Sequence, residues 1–313
     1  MDPLIRVVNV VKSFGAVKAV NGISFDVMPG SVVGFIGANG AGKTTTMRIM
    51  SSIELPDSGD VLIDNMSIFD DNSIVRGRIG WMPDNPAAYD NLTVEEYIDF
   101  FARSYGLKGE QKKRRIKAVK DFTEIWELDN RISTKLSKGQ SQRICLARSL
   151  ISNPDILILD EPAAGLDPKA RIDFKRLIKT LGEQGKTIFI SSHILTELDD
   201  MCDSVIFIDK GIVIHSGGSE DLKKSFNKKN YFIIKFSGDK SKLEEAISLI
   251  DGVQIIDEVK NGVRLEIGDL DLIGTSNLVR KLILDGVLVY EFYADQVKLE
   301  DVFVNMVSYK EEV

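Results

Sequence analysis

The feature that most constrains this chain is the string GANGAGKTT at residues 37–45. It follows a compact apolar run at residues 31–36 with strand character and precedes residues 43–52, whose spacing predicts a helix. The glycines therefore sit at a strand-to-helix turn. The string fits the GxxxxGK[ST] pattern through Gly37, Gly42, Lys43 and Thr44, and Gly40 adds further backbone freedom. Glycines let consecutive backbone N–H groups turn inward onto an anion, backed by the positive end of the following helix. Residues Gly37, Asn39, Gly40, Gly42, Lys43, Thr44 and Thr45 are thus expected to hold the phosphates of a nucleotide. Lys43 would reach the β- and γ-phosphates, and the Thr44 hydroxyl would meet Mg²⁺.

A phosphate-bound Mg²⁺ needs a second anchor on a neighbouring strand. The sequence ILILDEP places Asp160 at the end of an apolar run, where parallel sheets bind ligands. Asp160 is the expected metal partner, and Glu161 is placed to act on an attacking water as general base. The string LSKGQ at residues 136–140 reads two ways. Ser137 and Gln140 have capping-box spacing, which by itself only starts a helix. The same geometry presents a hydroxyl, a glycine N–H at Gly139 and a helix dipole to an anion.

At 313 residues the chain exceeds the size at which one core usually keeps growing, so two domains are expected. Its balance of 40 basic and 47 acidic residues, a net charge of −7, argues against a broad nucleic-acid surface. Cys145 and Cys202 lack CxxC spacing and read as small buried side chains in a reducing compartment. No apolar run approaches the ~18 residues that span a bilayer, and residues 1–10 carry charges where a signal peptide would be apolar. A cytoplasmic location is the expectation.

Alternating patterns at residues 4–11 and 17–28 predict strands ahead of the glycine loop. A helical insert opens at Thr93 and Glu96, a capping box, and the basic run at residues 112–115 reads as a solvated helix face. From Asp155 apolar strands alternate with helices, one opened by Asp167 and Pro168 and one after His193, which implies a parallel sheet covered on both faces. Beyond residue 223 the order becomes β-α-β-β-α-β, a ferredoxin-like module without a cluster of catalytic side chains, read as an interaction or dimerisation domain. The expected boundaries are 1–222, with the helical insert at about 84–135, and 223–313.

With a phosphate loop, LSKGQ continued by SQRICLARSL, and a strand ending in Asp160 and Glu161 in that order, the chain resembles the ATP-binding subunits of ABC transporters. The match covers residues 14–218. The resemblance implies an α/β fold, a P-loop NTPase of ABC ATPase type with an N-terminal β subdomain and helical insert, followed by the small α+β module. It implies ATP and Mg²⁺ as ligands and an ATPase activity. It assigns Phe14 to stack on adenine, residues 163–167 to cross a dimer, and His193 to contact the γ-phosphate. Ser137, Gly139 and Gln140 would complete the ATP site of a partner subunit.

Two positions depart from the family pattern. Lys138 stands where LSGGQ has glycine, which is tolerable if its side chain points to solvent. Asp84, in WMPDNP, stands where the family usually carries a glutamine touching Mg²⁺ and water. An aspartate keeps an oxygen ligand but loses the amide donor and adds negative charge. Asp84 is therefore expected on the metal side of the site. The implied partners are a second ATPase subunit, identical or similar, and a multi-spanning permease that would hold the chain on the inner face of the membrane, with no nucleic acid. The MPD sequence, LSKGQ and the terminal KLEDVFVNMV look most like ABC-2-type exporter ATPases. The competing readings are a soluble ABC ATPase acting on ribosomes or nucleic acid, and a small-molecule kinase or GTPase.

Overall fold

The computed structural model describes residues 2–70, 73–85, 91–194, 198, 201–226, 230–248, 250, 252–268 and 272–295. The chain forms two compact units, the first running to Ser219 and the second starting at Glu220. The first contains β1 (Ile5–Phe14), β2 (Val17–Val27), β3 (Val32–Ile36), α1 (Lys43–Met50), β4 (Ser58–Ile63), β5 (Met66–Ser67), α2 (Ser73–Gly77) and β6 (Ile79–Met82). It continues through α3 (Val94–Ser104), α4 (Gly109–Thr123), α5 (Lys138–Leu150), β7 (Ile156–Leu159), α6 (Pro168–Glu183), β8 (Thr187–Ser192), β9 (Ser204–Asp209) and β10 (Ile212–Gly218).

The central sheet has the order β10-β9-β3-β8-β7-β6, parallel except for the β9–β10 hairpin. Every residue of β3, β7 and β8 is buried, which is why these strands read as unbroken apolar runs rather than as alternating ones. The parallel arrangement fixes where chemistry can occur. The carboxyl ends of β3, β6, β7 and β8 lead into Gly37, Asp84, Asp160 and His193, so four segments far apart in sequence share one edge.

A second sheet, β2-β1-β4-β5, is antiparallel, and its inner face shares a core with the first. Phe25 of β2 stacks on Phe189 of β8 at 5.6 Å, and Phe35 of β3 meets the same ring at 5.1 Å. Aromatic payloads of this kind carry much of the burial that joins two sheets.

The insert begins as expected. Thr93 caps α3, accepting from the Glu96 amide at 3.3 Å while its own amide donates to Glu96 at 2.9 Å. Val94, Tyr97 and Ile98 form its buried face. The basic run at 112–115 is not uniformly solvated. Lys112 pairs with Asp99 at 2.5 Å, and Arg115 turns inward, donating to the carbonyls of Leu150 and of Ile151, the latter at 3.1 Å. The last carbonyls of a helix lack intrahelical donors, so a guanidinium that closes α5 is better placed there than in water. The helix expected after His193 lies outside the described residues, as does KLEDVFVNMV.

After α7 (Ser219–Phe226) come β11 (Asn230–Ser237), α8 (Lys240–Ser248), β12 (Val253–Val259), β13 (Gly262–Ile267), α9 (Leu272–Leu284) and β14 (Leu288–Ala294). The sheet order β12-β13-β11-β14, antiparallel throughout, is the ferredoxin-like arrangement. Leu243, Ile247, Leu278 and Leu282 from the helices pack with Ile234, Val263 and Leu265 from the strands.

Candidate active site

The glycine loop is shaped by what surrounds it. A Cβ at Gly37 would stand 2.4 Å from the Ile208 carbonyl oxygen. At Gly42, φ is 106° and a Cβ would stand 2.3 Å from the carbonyl oxygen of Ala19. Only glycine satisfies both the dihedral and the contact. Gly42 is also the N-cap of α1 and offers no side-chain cap, so the helix-opening N–H groups are left for a ligand. Lys43 is buried, with Nζ donating to the carbonyls of Gly37 at 2.8 Å and Ala38 at 3.2 Å, and lying 3.3 Å from Glu161 Oε1. Its ammonium is thus tethered inside the loop that would receive phosphate.

Asp160 is buried at the end of β7, where it accepts a hydrogen bond from Ser191 Oγ at 2.8 Å and another from the Thr44 side chain. Burial pushes its pKa above the usual carboxylate value, against the two hydrogen bonds, and the nearby charges of Glu161 and Asp84 push the same way as burial. Ser191 does double duty, since its oxygen also accepts from the Glu161 amide at 2.8 Å. Nothing in the sequence singled out this serine. It lies two positions before His193 on β8, and only the β7–β8 pairing shows what it holds. Glu161 itself adopts φ 46°, an uncommon conformation for a side-chain-bearing residue that turns the chain sharply after the strand. Its Oε2 meets His193 Nδ1 at 2.7 Å.

The raised pKa of Asp160 has a consequence for stability. The folded chain binds this proton more tightly than the unfolded chain does, so Asp160 lowers stability as pH rises from the unfolded value through the folded one, and the loss persists at neutral pH. Asp160→Asn should raise the melting temperature of the nucleotide-free chain at pH 7.5. The same variant should lose Mg²⁺-dependent nucleotide affinity by more than ten-fold. Differential scanning fluorimetry with and without nucleotide reads both, and a lower apo melting temperature would contradict the account.

Asn39, Gly40, Gly42, Lys43, Thr44 and Thr45 line one cavity of about 510 Å³ together with Asp84, Glu161 and His193. Phe14 is not in that lining. It is 52% exposed at the end of β1, with the Lys12 ammonium 5.4 Å from its ring centroid. Ser137, Gly139 and Gln140 also stand outside the cavity. There Ser137 caps α5, accepting from the Gln140 amide at 3.3 Å, and its own amide donates to Gln140 Oε1 at 3.1 Å. Gly139 lies against α6, where a Cβ would come within 3.1 Å of Ala170 Cβ. Lys138 is exposed, yet its side chain lies across Gly165, within 3.0 Å of where a Cβ would be.

Comparison with known proteins places this geometry. Residues 20–164 match the family described as ABC transporter. The ABC transporter ATP-binding protein NatA of Bacillus subtilis is 39% identical over 210 residues, covering 67% of this chain and 85% of the relative. The chain belongs to the ATP-binding proteins of ABC transporters. The bacitracin transport ATP-binding protein BcrA of Bacillus licheniformis is 32% identical over 310 residues, 98% of each chain, so this likeness extends through the second unit. Among solved structures, an ATP-binding subunit of an ABC transporter superposes with a TM-score of 0.65 at 28% identity, covering 71% of this chain and 93% of that one. A dimeric cassette in a post-hydrolysis state, bound to ADP and Pi, superposes with a TM-score of 0.63 at 26% identity, covering 69% of this chain and 98% of that one. The matched residues include the glycine loop, Lys43 and Glu161. Both cysteines of this ABC ATPase are buried. No helix among the described residues is long and apolar enough to cross a membrane.

Proposed function

We propose that this chain is the motor of an ABC-2-type exporter and works as a dimer in which each ATP lies between the glycine loop of one subunit and LSKGQ of the other. The observation that carries the proposal is the separation of LSKGQ from the ATP cavity within one chain. A helix start with a free face, a serine and a glycine that meets no phosphate of its own subunit is suited to close over another's. ATP then bridges two subunits, and loss of its γ-phosphate removes the bridge.

Mg²⁺ fits the residues present. The Thr44 hydroxyl and the Asp160 carboxylate already share a hydrogen bond, and the described residues hold no cluster of three His, Cys, Asp or Glu side chains that would bind a metal without a substrate. That suits an ion completed by phosphates and water. Thr44 and Asp160 would hold it, with Asp84 on the same side, and bound there it would neutralise charge on the β- and γ-phosphates. In this scheme Lys43 leaves the loop carbonyls for the phosphates. Glu161 accepts the proton of the attacking water. His193, already on Glu161 Oε2, keeps that carboxylate oriented and contacts the γ-phosphate. Phe14 would stack on adenine from its exposed position at the end of β1.

Transport draws support from BcrA, and export from the Nod factor export ATP-binding protein I of Ralstonia nicotianae, 34% identical over 220 residues. The membrane-spanning path would belong to a separate permease contacted by the insert, which would place the chain at the inner face of the membrane. The second unit would serve interaction or dimerisation. Affinity purification of the tagged chain from detergent-solubilised membranes should recover a multi-spanning protein and show ATPase activity stimulated by it. Recovery with ribosomes instead would favour the soluble reading.

A further inference from the structure

The cavity at Lys43 and Glu161 lies at the carboxyl ends of the parallel strands, and a separate cavity of about 220 Å³ opens beside the turns that lead into the amino ends of β7 and β8. Val119 and Phe122 of α4, Leu150 at the end of α5 and Leu181 near the end of α6 form its apolar wall. Arg115 of α4 and Lys186, the residue before β8, supply its charge, and no acidic side chain is among the described residues that line it. Sites for small molecules have this make-up, an apolar lining with a few convergent polar groups.

Both cations are anchored on one short turn, residues 150–154. Arg115 donates from Nε to the Ile151 carbonyl at 3.1 Å and from Nη2 to the Leu150 carbonyl. Lys186 donates from Nζ to the Pro154 carbonyl at 2.6 Å and to Asn153 Oδ1 at 3.3 Å. Every one of these acceptors is neutral, so they fix where the two charges stand without cancelling either. The charges also feel each other. Burial comes first in holding Lys186 below its ordinary pKa; Asp155 opposes that shift, and the Arg115 charge adds to it. Burial alone holds Arg115 below its own ordinary value. Asp155 is itself taken by Arg78, at 2.9 Å. Two like charges held on one turn, partly buried and without a carboxylate of their own, cost free energy that an anion between them would recover.

We propose that this cavity binds a small organic carboxylate, with its anionic end between Arg115 and Lys186 and its apolar body against Phe122, Leu150 and Leu181. A carboxylate meets both cations through charge-assisted hydrogen bonds, and Arg115 Nη1 makes no bond among the described residues that would compete. Inorganic phosphate would meet the same charges but leave the apolar wall uncovered. The volume lies below the ~300 Å³ at which pockets for drug-sized molecules begin, so the body is one ring or a short chain. The site does not depend on the nucleotide reading, since it is built on the opposite strand ends. A ligand in it would touch α4 of the insert and the turn into β8 together.

The probe is 4-fluorobenzoate, titrated onto the whole chain near neutral pH and followed by fluorine NMR line width. It should bind with a dissociation constant below about 1 mM, and the neutral 4-fluorobenzamide, nearly equal in size, should bind about ten-fold more weakly. Lys186→Met keeps the apolar stem and should weaken the benzoate about ten-fold, whereas Lys186→Arg should stay within about three-fold of the unsubstituted chain. Lys179→Met, which removes an exposed lysine of α6 outside the cavity, should change nothing, and neither should saturating Mg·ADP. Equal affinity for the benzamide, no binding up to about 10 mM, a benzoate affinity untouched by Lys186→Met, an equal loss from Lys179→Met, or displacement of the probe by Mg·ADP would each overturn the proposal. The comparison of benzoate with benzamide uses the unsubstituted chain, so it decides the matter even if Lys186→Met fails to fold. Failure of Mg·ADP to bind at all would count against the nucleotide reading and leave this one standing.

Discussion

Glu161→Gln should lower ATP turnover by about 10²–10³-fold and leave the protein as an ATP-bound dimer on gel filtration, while the unsubstituted chain returns to monomer once its ATP is hydrolysed. The substitution is nearly isosteric, so the sharp turn at φ 46° and the hydrogen bond that the backbone amide of residue 161 donates to Ser191 Oγ stay in place. What it removes is the negative charge 3.3 Å from Lys43 and the basic oxygen that meets His193 at 2.7 Å. Without a base the γ-phosphate persists, and with it the bridge between subunits. Two results would count against different parts of the scheme. Normal turnover would end the general-base assignment, and lost turnover without an ATP-dependent dimer would end the shared site.

The second large effect is expected at Gly42. Gly42→Ala must place a side chain at φ 106° and drive it to 2.3 Å from the Ala19 carbonyl on β2, a backbone atom that cannot rotate aside. A loss of about 2–4 kcal/mol follows from the combined strain and overlap, or about 5–10 °C in melting temperature. Nucleotide binding should fall below detection, because moving Gly42 moves the first N–H groups of α1. Gly40→Ala is the control. Gly40 also has positive φ, 82°, but nothing lies within 4 Å of its would-be Cβ, so only a backbone penalty of about 1 kcal/mol is expected. Equal melting temperatures for the two variants would show that the contact with Ala19 does not matter.

Much of the candidate site was legible in residues 37–45 and 155–161 because the features involved are local. A phosphate loop needs its glycines, lysine and threonine in consecutive turns of one segment, and an apolar strand that ends in two carboxylates announces itself by pattern. The capping boxes at Thr93 and Ser137 were equally readable, since both partners lie within one turn of helix. Arg115 was misread for the opposite reason. A run of four basic residues looks solvated, and the carbonyls that draw one of them inward belong to a helix end 35 residues away.

The order of elements, the phosphate loop, the Asp160–Glu161 strand end and the ferredoxin-like sequence of strands and helices were determined by the amino-acid sequence alone, through periodicity and short motifs. Tertiary structure alone decided that Ser191 would hold both Asp160 and the Glu161 amide, and that Arg115 would turn inward onto the end of α5. The physical reason is the parallel sheet. Its register sets the ends of β3, β6, β7 and β8 side by side although their residues are spread over more than a hundred positions, and no local pattern encodes which side chains meet across that edge.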